Sequence, residues 1–518
     1  MAALLNRSYL QASTANLATD LARFGSAAAW RGVYDRGEKI GFTVTQTLPN
    51  DAGFELEEDG RLQMSLLGAT TPITLRTTAQ VDRDSSLRSF EFTLDPGTGP
   101  THVRGEIAGQ RLTLDVTAPS GQSRGSRTRT EVRQLAEVPV LSLSLPRRLA
   151  NGGLVPGSRH RWTVFDPATL RMAPVVIDVG NRELVQSTGR PIPAFRVEME
   201  VAGLRTTSWV TDTGNVLREQ NPLGLMTVLE TAEIARAMAV PERVRTDMVQ
   251  AAAVVPVTGR SIDQPRDVRR LRLRLAGADL SSGDLQGAGQ SVHDDVVEIE
   301  DARALRAGRG DPGAARYLAA EPSIESDAPE IRAEAELAVR GVAGNRDRAE
   351  RLTRYVNSIL EKKPTVSLPS ALDVLRTRIG DGSEHTVLYV AMARALGIPA
   401  RIAAGLVSVR GVFYYHAWAE VYLAEGGDRG LWVPVDPTLN EFPADATHLR
   451  LARGGLDRRS MILPLLGTLK ITVLELELAP DATPILVGRE PADLGALAIP
   501  LPRREPCCAC ASQPPPRR

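Results

Sequence analysis

Across residues 37 to 219 apolar side chains recur at every second position in short runs, and that period dictates extended chain. Ile40, Phe42 and Val44 alternate with polar neighbours, as do Ile73, Leu75, Ala79 and Val81, and then Leu112, Leu114 and Val116. Successive side chains of a strand point to opposite faces, so each run can bury one face and leave the other in water. Asp59-Gly60, Ala108-Gly109-Gln110 and Thr213-Gly214 separate runs and read as hairpin turns. Strands joined this closely pair antiparallel. The expectation for residues 30–255 is therefore an antiparallel β-rich region of one or two domains, built as curved sheets or a half-open barrel, with a helix at Met226–Met238.

At 518 residues the chain has room for roughly three domains of ordinary size. Lysine plus arginine and aspartate plus glutamate number 62 each, so no net field draws the chain to nucleic acid, and nucleic-acid binding is set aside. No run reaches the roughly 18 to 20 apolar residues of a membrane-spanning helix, and no transmembrane segment is expected. Residues 1–29 show helical spacing at Leu4, Leu5, Leu10, Leu17, Leu21 and Phe24, but Arg7, Asp20 and Arg23 spoil them as a signal peptide. As written the chain reads as cytoplasmic; a start site placed too far downstream would make it a protein of the cell envelope or periplasm, so localisation stays open. Cys507, Cys508 and Cys510 all lie in residues 481–518, whose Pro-rich composition reads as a disordered tail. A stable zinc site wants four ligands with room between pairs, and neither a metal nor a cofactor is expected.

Alternation resumes around Leu271, Leu273, Leu275, Val292, Val296 and Ile299, so residues 256–310 read as a β segment followed by a linker, the Gly-rich stretch Arg303–Ala315. Beyond it the period becomes helical. Asp327-Ala328-Pro329-Glu330 has the spacing of a capping box, and Asn345 and Ser370 are candidate caps for two further helices. Residues 311–480 are expected to form one α+β domain that closes with a strand at Lys470–Leu476.

Within that domain four segments stand in a telling order. Gly380-Asp381-Gly382-Ser383-Glu384-His385 opens a helix with a second capping-box spacing, and Arg394-Ala395-Leu396-Gly397-Ile398-Pro399-Ala400-Arg401 ends it at a glycine. Tyr415-His416-Ala417-Trp418-Ala419-Glu420-Val421-Tyr422 is a strand bearing a histidine, and Trp432-Val433-Pro434-Val435-Asp436-Pro437-Thr438 a strand delivering an aspartate. This pattern resembles the transglutaminase-like superfamily of bacterial type, relatives of the papain-like thiol enzymes, over roughly residues 320 to 450. The resemblance implies an α+β fold for this half behind the β-rich N-terminal half. It also implies His416 as base, Asp436 as the group orienting its imidazole, and position 382 as the seat of the nucleophile. A helix start suits that role because unpaired N–H groups and the positive dipole end favour a thiolate over a thiol.

The family has Cys where this chain has Gly382. Glycine cannot attack a carbonyl, and loss of the nucleophile removes most of a triad's catalytic gain. Ser383 is no substitute, since one step along a helix turns the side chain by about 100 degrees. In the functional reading Ser383, His385, Trp418 and Trp432 line the cleft; in the plainer one Glu384 caps the helix and His385 packs or faces water. His102, His160, His293 and His448 read as surface or loop residues. The resemblance thus implies a catalytically impaired relative that keeps its cleft for a polypeptide or amide-bearing ligand. Two alternatives stay open. One is an active Cys-His-Asp-type transglutaminase or peptidase acting on Gln side chains or peptide amides through a thioester. The other is a structural envelope protein with the β half as binding module.

Overall fold

A computed structural model describes residues 28–237 and 253–480, apart from 67–68, 97–98, 120–125, 202–203, 223, 259–261, 282, 322, 364–369, 427, 455–464 and 466. The expected N-terminal helix up to residue 27 and the Cys-containing tail lie outside the described residues; Ala29 already opens the first strand.

The alternating half is a single sheet of fifteen strands, from β1 (Ala29–Asp35) to β15 (Leu225–Glu230). Two meanders lie back to back in it: β1 pairs with both β2 (Glu38–Asn50) and β15, and the chain then works outward to β8 (Ser126–Gln134) on one side and β9 (Val140–Leu141) on the other. The sheet curls. Leu56, Phe90, Leu112 and Leu114 of the first meander share a buried cluster with Leu141, Phe165 and Leu170 of the far end of the second. Two short helices, α1 (Leu145–Ala150) and α2 (Ala232–Arg236), plug this half, α2 packing on Trp30, Phe42 and Val44.

Two expectations for this half fail for identifiable reasons. Asp59-Gly60 is not a turn: β3 (Gly53–Leu66) runs straight through it, with Asp59 opposite Val44 and Gly60 opposite Thr43. A side chain at Gly60 would come within 2.8 Å of Leu75 Cγ, so the glycine serves a close approach between strands. Met226–Met238, whose last residue lies outside the described ones, is not a helix over its length: pairing with β1 takes Leu225–Glu230 into the sheet, and among the described residues of this stretch α2 is what remains helical.

In the second half β16 (Val268–Ala276), β17 (Gln290–His293), β18 (Val296–Glu300) and β26 (Lys470–Leu478) form a four-stranded sheet, the last pairing with β16 as a returning strand. A five-stranded sheet has the order β19 (Gly308–Arg309), β24 (Arg429–Val435), β23 (Val412–Ala424), β22 (Ala400–Val409), β25 (Leu449–Arg453). Arg303–Ala315 is therefore more than a linker. Gly308 and Arg309 extend the sheet edge opposite Gly430 and Arg429, and Asp311 accepts a bond from the Trp432 indole.

Helices α3 (Pro329–Ala338), α4 (Asn345–Ile359) and α5 (Ala371–Thr377) surround α6 (Gly382–Ala395). The first two start one residue away from the cap expected of them, Ala328 and Gly344 being the N-caps. Every residue of α6 from Glu384 to Arg394 is buried, the apolar run Val387–Ala393 among them and the polar Glu384, His385, Thr386 and Arg394 at its two ends. On β23 the odd positions Ala419, Val421 and Leu423 join Val387 to Ala393 of α6 in one core. His416 and Glu420 stand at even positions, on the other face.

Candidate active site

The site is set by the two ends of α6. At its start Asp381 is the N-cap, accepting from the Ser383 amide at 2.8 Å, while the Glu384 carboxylate takes the Asp381 amide at 3.0 Å; the capping box read from sequence is complete. At its end Gly397, with φ +77°, donates to the Arg394 carbonyl and Ile398 to that of Ala393, the paired bonds of a Schellman motif. Thr386 fastens the first turn to the sheet by donating to the carbonyls of Gly382 and Ala417. Gly382 is thereby held beside His416.

His416 stands on β23 opposite Gly405 of β22. Its Nε2 bonds Asp436 Oδ2 at 2.8 Å, and its other edge faces Gly382: a side chain built at Gly382 would place Cβ 2.6 Å from Cε1 and 2.7 Å from Nδ1 of the ring. The imidazole thus lies against bare backbone at position 382. Asp436 follows β24 and is fully buried; its Oδ1 accepts from the Thr438 and Leu439 amides, an Asx-type turn that Asn357 of α4 supports by donating to the Pro437 and Thr438 carbonyls. Burial opposes the Asp436 charge, but His416 and His448 more than offset it and hold the carboxyl far below its usual range.

Of the other residues singled out from sequence, Ser383 is half-buried at the helix start and His385 is wholly buried. His385 Nδ1 meets the Asp381 carbonyl at 2.7 Å, which assigns the proton to Nδ1, and Nε2 has no partner among the described residues. Burial lowers its proton affinity, with Lys362 adding to the effect. Lys362 is an exposed residue paired in register with Gly380, yet its ammonium is pushed below its ordinary value by burial, Asp436 pulling the other way. Trp418 is 1% exposed, stacked 6.4 Å from His416 and edge-on 5.1 Å from His448. Trp432 packs elsewhere, against Tyr317 and Tyr422, with the Arg401 guanidinium 3.7 Å above its ring.

His448 corrects the sequence reading. It does lie in a loop, the one ahead of β25, but it is not a surface residue: it is 5% exposed, with Nε2 3.1 Å from Asp436 Oδ2 and Nδ1 3.2 Å from Asp445 Oδ1. The signal was its place just ahead of β25, twelve positions after Asp436, where the chain must re-enter the sheet beside the site. Glu441, Asp445 and His448 are close enough together to suggest a metal centre. Their donor atoms are already engaged: Arg266 pairs with Glu441, the Thr447 amide and hydroxyl bond Asp445, and both nitrogens of His448 face carboxylates.

Gly405, opposite His416, is required by close approach. A Cβ there would lie 2.0 Å from the Leu449 carbonyl oxygen and 3.0 Å from Arg450 Cα, atoms of the neighbouring strand that cannot rotate away. Gly405→Ala is expected to lower stability by about 1–3 kcal/mol, as overpacking does. Urea unfolding within experimental error of the parent would show instead that β25 yields freely.

Residues 333–437 match the transglutaminase-like superfamily. This part of the chain is transglutaminase-like. No curated protein matches the chain. Solved structures similar to it include a "putative cysteine protease" of Cytophaga hutchinsonii, at 15% identity over 43% of this chain and 90% of that one, with a TM-score of 0.26. A beta-barrel-like protein of unknown function from Brucella abortus shares 12% identity over 39% and 94%, TM-score 0.30. A "putative protease" of Parabacteroides distasonis shares 10% identity over 69% of each chain, TM-score 0.20. Likenesses this distant carry no argument about function. Among the described residues no helix is long and apolar enough to cross a membrane.

Proposed function

We propose that the transglutaminase-like domain, residues 311–480, is a catalytically impaired member of its superfamily whose cleft binds a polypeptide or amide-bearing ligand without turning it over. The observation that carries this reading is the meeting of His416 and Gly382. The base and its orienter, Asp436, are assembled, and Nδ1 of the ring is directed at a residue that has no side chain. With Nε2 bonded to the carboxylate, a neutral ring keeps its lone pair on Nδ1, where a thiol would give up its proton. Nothing at 382 can form the thioester through which a transglutaminase or thiol peptidase works. Ser383, half-buried at the helix start, and the exposed Lys362 then mark the entrance to this position, with His385 and Trp418 buried behind it and Trp432 outside it.

The test uses the full chain and a panel of Gln-bearing peptides. Saturable binding without ammonia release, acyl transfer to an added amine or peptide cleavage is the expected result. Filling the entrance with Ser383→Trp should weaken that binding at least tenfold. Turnover by the unmodified protein would refute the impaired reading, and binding indifferent to Ser383→Trp would place the ligand elsewhere.

A further inference from the structure

The arrangement around Asp436 contains one more histidine than the base-and-orienter pair requires. We propose that His448 is a positioning residue, a doubly protonated imidazolium clamped between Asp436 and Asp445 that fixes the shared carboxylate and so holds His416 with its proton on Nε2 and Nδ1 turned to position 382. This rests on the reading of His416 and Asp436 as the remnant of the site.

The donors and acceptors around the ring require both of its protons. Asp436 Oδ1 is taken by two backbone amides, which leaves Oδ2 for both His416 Nε2 at 2.8 Å and His448 Nε2 at 3.1 Å. Across the His448 ring, Nδ1 meets Asp445 Oδ1 and the Asp445 carbonyl, each at 3.2 Å. Ionised carboxylates and carbonyls only accept, so both ring nitrogens of His448 must donate. A neutral ring would turn a lone pair against a carboxylate in a buried place, an arrangement that costs free energy on both partners.

The groups around the ring agree with a positive charge. Asp436 reaches it from the turn after β24, Asp445 and Thr447 from its own loop, and Glu441 from the segment bridged to Asp436. Trp418 and His416 reach it from β23. Arg266 is engaged with Glu441. Burial disfavours the imidazolium, but the bonds to Asp436 and Asp445 and the charges of Asp445 and Glu441 outweigh it. The charged ring in turn compensates a carboxylate sealed from water, so Asp436 keeps one rotamer.

Side-chain nitrogen–proton NMR on the full chain labelled with nitrogen-15 tests this, with resonances assigned through His448→Gln and His416→Gln. In the parent protein at pH 8, His448 should show two protonated, exchange-protected nitrogens, and His416 one protonated nitrogen, Nε2. In His448→Gln the protected Nε2–H signal of His416 should be lost to exchange or split between tautomers. Asp445→Asn should keep His416 as it is while abolishing one of the two protected signals of His448. A singly protonated His448 in the parent at pH 8 overturns the proposal without any variant having to fold. So does an unchanged His416 signal in folded His448→Gln. Neither readout involves a ligand, so failure of the clamp and failure of the binding reading are separate results.

Discussion

Glu420→Gln is expected to cost about 3–5 kcal/mol of stability, measured as a lower urea midpoint at unchanged slope. Glu420 lies on β23 four positions from His416, and its side chain is wholly buried. It is the common partner of three guanidiniums: Arg401 at 2.7 Å, Arg450 at 2.7 Å and Arg453 at 3.1 Å. Arg450 and Arg453 also reach Asp284 and the backbone carbonyls of Asp284, Leu285, Gln286 and Gly287, so the cluster ties the site sheet to the loop ahead of β17. Glutamine preserves volume but removes the charge and presents an amide where only acceptors are wanted. The arginines would then be left buried against each other.

Acid should erase the difference between the two proteins. Burial resists the Glu420 charge, but Arg450, Arg453 and Arg401 override it and hold the carboxyl down to about 2. A folded-state value below the unfolded one means a contribution present above roughly pH 4.5 and lost as the pH falls toward 2. The gap between parent and Glu420→Gln should therefore narrow over that window. A midpoint for Glu420→Gln within about 0.5 kcal/mol of the parent at pH 7, the scale of an ordinary surface change, would mean that water reaches the cluster.

What the sequence disclosed and what it hid follow from the range of the interactions. Alternation is local, so the β-rich half was legible from Ile40, Ile73 and Leu112, yet the joining of the two meanders through β1 and β15 depends on pairing across nearly 200 positions and left no local mark. That pairing is also what overrode the helical spacing at Met226. Around the site, Asp381 and Glu384 disclosed the helix start because a capping box is written in four consecutive residues. His416 and Asp436 were legible through family pattern. His448 was marked only by its place ahead of β25, and that place does not reveal the burial and ring orientation that bring it to Asp436 and Asp445. The fully buried Glu420 with its three arginines was equally hidden, each residue looking like an ordinary surface charge on an alternating strand.

Gly382→Cys is expected to give a thiol that reacts with a haloacetamide at pH 7 about tenfold or more faster than an ordinary cysteine, and His416→Ala in the same background is expected to abolish the excess. The helix start cannot supply this by itself. Asp381 and Glu384 place two carboxylates in the first turn and satisfy its amides, offsetting the positive end of α6 that would otherwise favour a thiolate. Activation must come from His416. The ring first has to move: its Cε1 and Nδ1 would stand 2.6 and 2.7 Å from the new Cβ, against an ordinary contact of about 3.5–4.0 Å, and the imidazole is the far end of a side chain held by one bond to Asp436. A displacement of about 1 Å that keeps that bond leaves Nδ1 beside the sulfur; a displacement that breaks it leaves an unassisted thiol. Cys507, Cys508 and Cys510 provide the internal reference, with labelling at each position separated by peptide mass mapping. Reaction at 382 no faster than at those three, or acceleration that survives His416→Ala, would show that the base is not poised over this position.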